Sequence, residues 1–192
     1  MRTEYKNALA TKRKIEMTYL RLLADSKKNF SVTDIVQLAK INRGTFYLHF
    51  NNKQEVDDAI YKEISSKFKA IENNLRMFDI DQAPESVLNQ INQIIKQDIE
   101  FFKLVADASE NENLYELIKT TILTIINNNF KVMQYIFNME HFTMVCQYIV
   151  GGILTTYKSW FNKQISCSLD DLSAYLSRLI KDGLKGCIRY DS

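Results

Sequence analysis

The 192-residue sequence predicts an all-α protein: an amino-terminal three-helix module containing a helix-turn-helix, a long helix 4 leading out of it, and a carboxy-terminal helical bundle. About nine helices are expected. Three observations carry this. Five Gly and one Pro across the whole chain leave few punctuators for hairpins or repeated short strands. Apolar residues recur every three or four positions along most of the sequence. Two Ser-x-x-Asp patterns, Ser31 with Asp34 and Ser168 with Asp171, have the form of capping boxes that open helices.

The first helix is expected from about Asn7 to Ala24, with Ile15, Tyr19, Leu22 and Leu23 as its buried stripe. Lys27 to Phe30 form a loop. Ser31 and Asp34 open a second, short helix whose apolar face is Ile35, Leu38 and Ala39. Asn42 can cap a third, from Arg43 to about Phe50. Phe46 and Phe50 share its inner side, leaving Arg43, Thr45, Tyr47 and His49 on the outer side. Two short helices joined by a tight turn, the second presenting basic and hydrogen-bonding groups, form the arrangement that places a recognition helix in the DNA major groove.

Asn51 or Asn52 caps helix 4, in which Val56, Ile60, Ile64, Phe68, Ile71 and Leu75 recur every three or four residues up to about Met77. Some 25 residues at 1.5 Å each span roughly 37 Å, enough to link the first module to the rest of the protein. Asp79 to Pro84 is the clear break, and Pro84 suits the first turn of the next helix. The expected division is therefore 1–52 for the helix-turn-helix domain, 53–78 for the connecting helix and 79–192 for the carboxy-terminal domain.

In that last region Val87, Leu88, Ile91, Ile94, Ile95, Ile99, Phe102 and Val105 mark a single helix 5, and Leu114, Leu117, Ile118, Ile122, Ile125 and Ile126 mark helix 6. Asn127 to Asn129 either kink or end it. Phe130 to Phe137 is either a short seventh helix or a continuation. Met144 to Phe161 reads as helix 8, and Ser168 opens helix 9, which ends near Gly183 or Gly186.

At Ser31 to Lys53 the chain resembles the TetR family of bacterial transcriptional regulators. The signature elements are Ser31-x-x-Asp34-Ile35, then Thr45-Phe-Tyr-Leu-His-Phe50, then Lys53 three residues on; the specific likeness covers about residues 8 to 60. One position departs. The turn residue usually held by Gly is Lys40, for which a positive φ costs about 1 kcal/mol relative to Gly.

The resemblance implies DNA contacts from Thr33, Asn42, Arg43, Gly44, Thr45, Tyr47, His49 and Lys53. Arg43 and Thr45 would face base edges, Arg by a fork to guanine O6 and N7, Thr by its methyl or hydroxyl. Tyr47 and His49 are similar to the family's phosphate clamps. Lys53 would hold a phosphate together with backbone N–H groups of helix 4, and Thr33 would do the same from helix 2. Gly44 would permit close approach of the backbone.

Charge distribution agrees. Residues 1–55 hold 11 Lys and Arg against 5 Asp and Glu, a net +6; the remainder holds 14 against 18, a net −4. A basic amino-terminal end on an acidic body is the expected footprint of a partner rich in phosphate. Taken alone, Lys12, Arg13, Lys14, Lys27 and Lys28 read equally as a solvated face.

Helices 8 and 9 carry apolar residues on more than one side. In the family these helices pair with their symmetry mates, which implies a homodimer through Tyr148, Gly151, Gly152, Trp160, Leu172, Tyr175, Leu176 and Leu179. Glycines let helices approach closely, either between subunits or inside one. A dimer with two recognition helices about one DNA turn apart requires a near-palindromic operator.

The family also implies a small-molecule effector in the carboxy-terminal domain that releases a repressor from DNA. Material for a pocket includes Phe101, Phe102, Tyr115, Met133, Phe137, His141, Tyr148 and Tyr157, all of which read equally as core. The run from Tyr148 through Gly151-Gly152 to Trp160 is similar to a subgroup that responds to protein partners or lacks a known inducer. A regulator controlled by a protein partner, as repressor or activator, and an interaction module that has lost DNA binding are the alternatives.

An enzyme is not expected. The sequence has two His and no G-x-S-x-G, P-loop, G-x-G-x-x-G or H-E-x-x-H pattern. His141 has no ligand partner at metal spacing. Cys146, Cys167 and Cys187 are odd in number and far apart, which suggests neither disulfides nor a zinc site. No cofactor or metal is expected. A polar amino terminus and apolar runs shorter than ~20 residues point to a cytoplasmic protein with no membrane partner.

Overall fold

A computed structural model describes residues 2–25, 29–74, 83–108, 112–129 and 139–188. Among these residues the elements are α1 (Arg2–Ala24), α2 (Val32–Leu38), α3 (Arg43–Tyr47), α4 (Lys53–Asn74), α5 (Ala83–Gln97), α6 (Ile99–Ala108), α7 (Glu112–Asn129), α8 (Met139–Phe161) and α9 (Leu169–Ile188). All are helical. The expected seventh helix at Phe130 to Phe137, the Lys27 end of the first loop and the break after Asp79 lie outside the described residues, except that Pro84 stands in the first turn of α5 as expected.

The chain forms two compact units, and neither matches the expected boundaries. The first comprises residues 1–64 and 100–115, the second 65–99 and 116–192. The division falls inside α4, whose single apolar stripe supplies Val56, Ile60 and Ile64 to the first core and Phe68 and Ile71 to the second. No change of composition marks such a point, because one continuous helical stripe serves both cores.

The expected helix 5 is two helices. Asp98 separates α5 from α6, its N–H reaching the Ile95 carbonyl at 3.2 Å, three residues back instead of four. The apolar spacing Ile95, Ile99, Phe102 continues across the break, so periodicity does not register it. From Glu100 on, α6 then belongs to the first unit. Phe101 is fully buried there, the Arg13 guanidinium lies over its ring at 4.2 Å, and Arg21 meets Glu100 at 2.8 Å.

In the first unit α1 is anchored by Ile15, Tyr19 and Leu20; Leu22 and Leu23, expected in that stripe, are only half-buried. Glu16 is buried on the same side, with Arg13 at 3.7 Å and Lys12 at 3.9 Å. Burial, only partly offset by Lys12, raises its pKa above the ordinary value. The Tyr19 hydroxyl of α1 and the Tyr61 hydroxyl of α4 both interact with the Asp57 carboxylate of α4. Burial lifts Asp57 above the usual carboxylate range and pushes Tyr61 up to about 12.

In the second unit α5 packs along α9. Its buried polar centre is Asn92, whose Oδ1 accepts from the Tyr157 hydroxyl at 2.7 Å and whose Nδ2 donates to the Leu169 carbonyl at 2.9 Å. α8 begins at Met139, five residues before the expected start at Met144, and α9 runs through Gly183 and Gly186 to Ile188. The cap of α9 follows the sequence: Ser168 Oγ accepts from the Asp171 N–H at 3.0 Å.

Among the described residues two non-glycines have positive φ, and both are lysines just past a helix end, Lys40 at 50° and Lys163 at 57°. Each closes the same motif. The Lys40 N–H reaches the Gln37 carbonyl and the Ile41 N–H the Val36 carbonyl, both at 3.1 Å. At α8 the Lys163 N–H reaches Trp160 at 3.0 Å and the Gln164 N–H reaches Ser159 at 2.9 Å. These are Schellman closures with the left-handed residue at the position that favours glycine.

Candidate nucleic-acid interface

The helix-turn-helix is built from local capping. Ser31 and Asp34 form a reciprocal box: Asp34 Oδ2 accepts from the Ser31 N–H at 2.7 Å, and the Ser31 hydroxyl accepts from the Asp34 N–H at 3.4 Å. Hydrogen bonds from Ser31 hold the Asp34 carboxyl below its ordinary pKa. Asn42 caps α3, its Oδ1 accepting from the Thr45 N–H at 2.6 Å and from the Thr45 hydroxyl at 2.9 Å. At α4, Asn52 Oδ1 accepts from the Glu55 N–H at 3.0 Å, and Glu55 accepts from the Asn51 N–H at 2.9 Å. Those bonds from Asn51 lower the Glu55 pKa.

α3 ends at Tyr47, three residues before the expected Phe50, and the chain then turns. Phe46 and Phe50 are buried as a pair, and the outer side of the helix divides. Arg43, Gly44 and Tyr47 are exposed, whereas Thr45 and His49 are half-buried. Arg43 Nη2 donates to the Thr33 hydroxyl at 2.6 Å, which brings two expected contact residues together across α2 and α3. The Thr45 hydroxyl proton is committed to Asn42, leaving its methyl and lone pairs for any partner. Tyr47 stands with its ring edge-on to Phe46 at 5.4 Å.

Lys53 is half-buried and placed by Phe30: its Nζ donates to the Phe30 carbonyl at 3.2 Å and lies 4.5 Å from the ring centroid. An ammonium has three donors, so two directions remain. A Cβ on Gly44 would meet only Asn42 Oδ1, at 3.3 Å. Leu48, absent from the expected contact set, is 83% exposed. Its signal was present: positions two residues either side of a buried helical anchor point away from it, and Leu48 stands two after Phe46.

The second unit holds an apolar cavity of about 110 Å³. Phe68, Ile71, Ile91, Phe142, Cys146 and Ile149 are among its walls, and every described lining residue is apolar apart from the Cys146 thiol. Burial raises that thiol to about 11, so it is neutral near pH 7. Of the expected pocket residues, none that is described lines this cavity. Phe101, Phe102 and Tyr115 belong to the first unit; Tyr157 is buried against Asn92; His141 and Tyr148 are exposed. Met133 and Phe137 lie outside the described residues. The expected set is mostly aromatic, while the cavity is mostly walled by aliphatic side chains from α4, α5, α7, α8 and α9.

The expected dimer residues also divide. Tyr148, Tyr175 and Leu179 are exposed, as is Met144 one turn before Tyr148. Leu172 is instead part of the subunit core at 4% exposure, and Trp160 is half-buried with its Nε1–H on the Cys167 carbonyl at 2.9 Å. Leu176 is half-buried. A Cβ on Gly151 or Gly152 would meet nothing within 4 Å, so neither glycine serves a tight contact among the described residues of its own subunit. Cys146 and Cys167 are free thiols. No group of metal-ligating side chains occurs among the described residues, and no described helix is long and apolar enough to cross a membrane.

No family model and no curated relative matches the chain by sequence. Solved structures do. The fatty acid degradation regulator FadR from Bacillus halodurans aligns with a TM-score of 0.66 at 19% identity, covering 91% of this chain and 96% of that one. A TetR transcriptional regulator from Streptococcus agalactiae 2603V aligns at 0.53 and 16% identity, over 93% and 97%. The dihydroxyacetone kinase operon activator DhaS aligns at 0.54 and 19% identity, over 92% and 97%. With nearly the whole of each chain matched and identity this low, what is shared is architecture: the chain has the all-helical fold of a TetR-type transcriptional regulator.

Proposed function

We propose that this protein is a TetR-family regulator, a DNA-binding homodimer that reads a near-palindromic operator and is controlled through its second unit. The observation that carries the reading is the outward set on the helix-turn-helix: Arg43 steadied by Thr33, Tyr47 exposed beside it, and Lys53 placed by Phe30. Arg43 reads a base edge, and Tyr47, His49 and Lys53 hold phosphates. The net +6 of residues 1–55 supplies the sequence-independent part of the affinity. Repression is the simplest mode, since an operator-bound dimer occludes the promoter.

The dimer forms through the exposed faces of α8 and α9, where Met144, Tyr148, Tyr175 and Leu179 would otherwise stay in water. The apolar cavity is the effector site. Walls without hydrogen-bonding side chains favour an apolar group over a charged or sugar-like ligand, because polar atoms would be desolvated there without partners. An effector acts only by binding one arrangement of the protein better than another. The cavity favours a small ligand over control by a protein partner.

Selection of duplexes from a random library, followed by salt titration of the winner, tests the reading. A near-palindrome bound with a steep salt dependence, and weakened in Tyr47→Ala, is the expected result. Absence of any enriched sequence would sink it.

A further inference from the structure

We infer that Leu48 is a specificity-determining residue that seats its side chain against the C5 methyl of one thymine in each operator half-site; this rests on the DNA-binding reading above. Phe46 is the fully buried anchor of α3. Positions two before and two after it stand about 160–200° around the helix. Those positions are Gly44 and Leu48. Both are exposed, Leu48 at 83%. The backbone is still helical at Leu48, with φ −71° and ψ −20° and its N–H on the Gly44 carbonyl at 3.0 Å, so the angular relation holds to that residue.

The middle of the outward face is thus a glycine and a leucine, not the polar residues. Arg43 and Tyr47 border it on one side, the half-buried Thr45 and His49 on the other. Gly44 adds no bulk, which allows the helix to come close one turn before Leu48. A branched apolar side chain inside a margin of cationic and hydrogen-bonding groups matches one chemistry in the major groove. Among the base edges there, thymine alone presents a methyl group; the rest offer donors and acceptors. Leucine can satisfy none of those, so seating it on another base desolvates polar atoms without return. The polar margin favours nucleic acid over an apolar groove on another protein.

The test uses the full-length protein and the duplex recovered by library selection. Each thymine of a half-site is replaced in turn by deoxyuridine, which lacks only the methyl group, and affinity is measured at fixed salt for wild type and Leu48→Ala. One thymine per half-site should prove methyl-sensitive in wild type, by about fourfold, the burial of one methyl group. Leu48→Ala should lose that sensitivity while other positions keep their preferences. Leu48 is exposed, so an unchanged melting temperature serves as the control for folding. If no thymine is methyl-sensitive, if the sensitivity survives in Leu48→Ala, or if that variant weakens every sequence alike, the inference is overturned. Failure of the DNA-binding reading shows itself earlier, as a selection that enriches nothing, and removes the inference with it.

Discussion

The Arg43 guanidinium donates a 2.6 Å hydrogen bond to the Thr33 hydroxyl, tying the two helices of the helix-turn-helix through residues expected to touch DNA. One of the five guanidinium donors is spent within the protein, which narrows the directions open to the rest. Arg43→Ala should relax preference at a single operator position by about 1–3 kcal/mol, whereas Tyr47→Ala should weaken all sequences alike. Thr33→Val should blur the Arg43 position by freeing the fork. Binding curves on single-base operator variants check all three; equal shifts on every duplex for Arg43→Ala would contradict the assignment.

Asn92 is the polar linchpin of the second unit. Tyr157→Phe leaves a buried amide oxygen without its donor and should cost about 1–3 kcal/mol. Asn92→Ala strands both the Tyr157 hydroxyl and the Leu169 carbonyl and should cost more. The double variant should cost less than the two singles added, since they remove a shared bond. Urea denaturation provides the comparison, and strict additivity would show the bond to be idle.

Lys40 and Lys163 hold left-handed backbone that L side chains adopt at a cost of about 1 kcal/mol or more. Lys163→Gly should therefore raise the melting temperature, by about 2–4 °C per kcal/mol in a chain of this size. Lys40→Gly should do likewise and restore the residue usual at that turn. Calorimetry measures both, and a fall in melting temperature would mean that the lysine side chains contribute more than the backbone loses.

Glu16 supplies a pH signature. Burial raises its pKa above 4.5, with Lys12 and then Arg13 opposing, so the folded protein binds this proton more tightly than the unfolded chain. Stability from this group therefore rises as pH falls from neutral through the raised pKa, and levels off below 4.5. Glu16→Gln, which mimics the protonated form, should be more stable than wild type at pH 7 and equal to it near pH 4. Denaturation midpoints at the two values decide; a variant destabilised at pH 7 would mean that the Lys12 and Arg13 pairings outweigh burial.

Gly152 distinguishes a dimer from an exposed helix face. Within one subunit a side chain there meets nothing within 4 Å, so Gly152→Ala in a monomer should stabilise α8 by about 1 kcal/mol. In the proposed dimer, Gly152→Leu should separate the subunits, as should Tyr148→Glu with Leu179→Glu, without loss of helicity. Sedimentation equilibrium reads the outcome. A Gly152→Leu protein that remains dimeric and melts higher would place the interface elsewhere.

Helix starts were legible in the sequence because capping spans three residues. Ser31 with Asp34 completes its capping box, Ser168 caps α9 by accepting from the Asp171 N–H, and Asn42 caps α3 through its near neighbour Thr45. The α4 stripe was legible for the same reason: Val56, Ile60, Ile64, Phe68 and Ile71 lie on one side of a helix whatever they pack against, and all five are buried.

The tertiary structure decided what depends on residues distant in sequence. It put Asp98 between two helices despite unbroken periodicity, and it buried Phe101 under Arg13 in the core of the first unit. It joined Asn92 to Tyr157 and Leu169, residues 65 and 77 positions further along the chain. Local hydrogen bonds and helical period are properties of a short segment and can be read along it. Which side of that segment becomes interior is set by the packing of other segments, and single-chain periodicity carries no record of those partners.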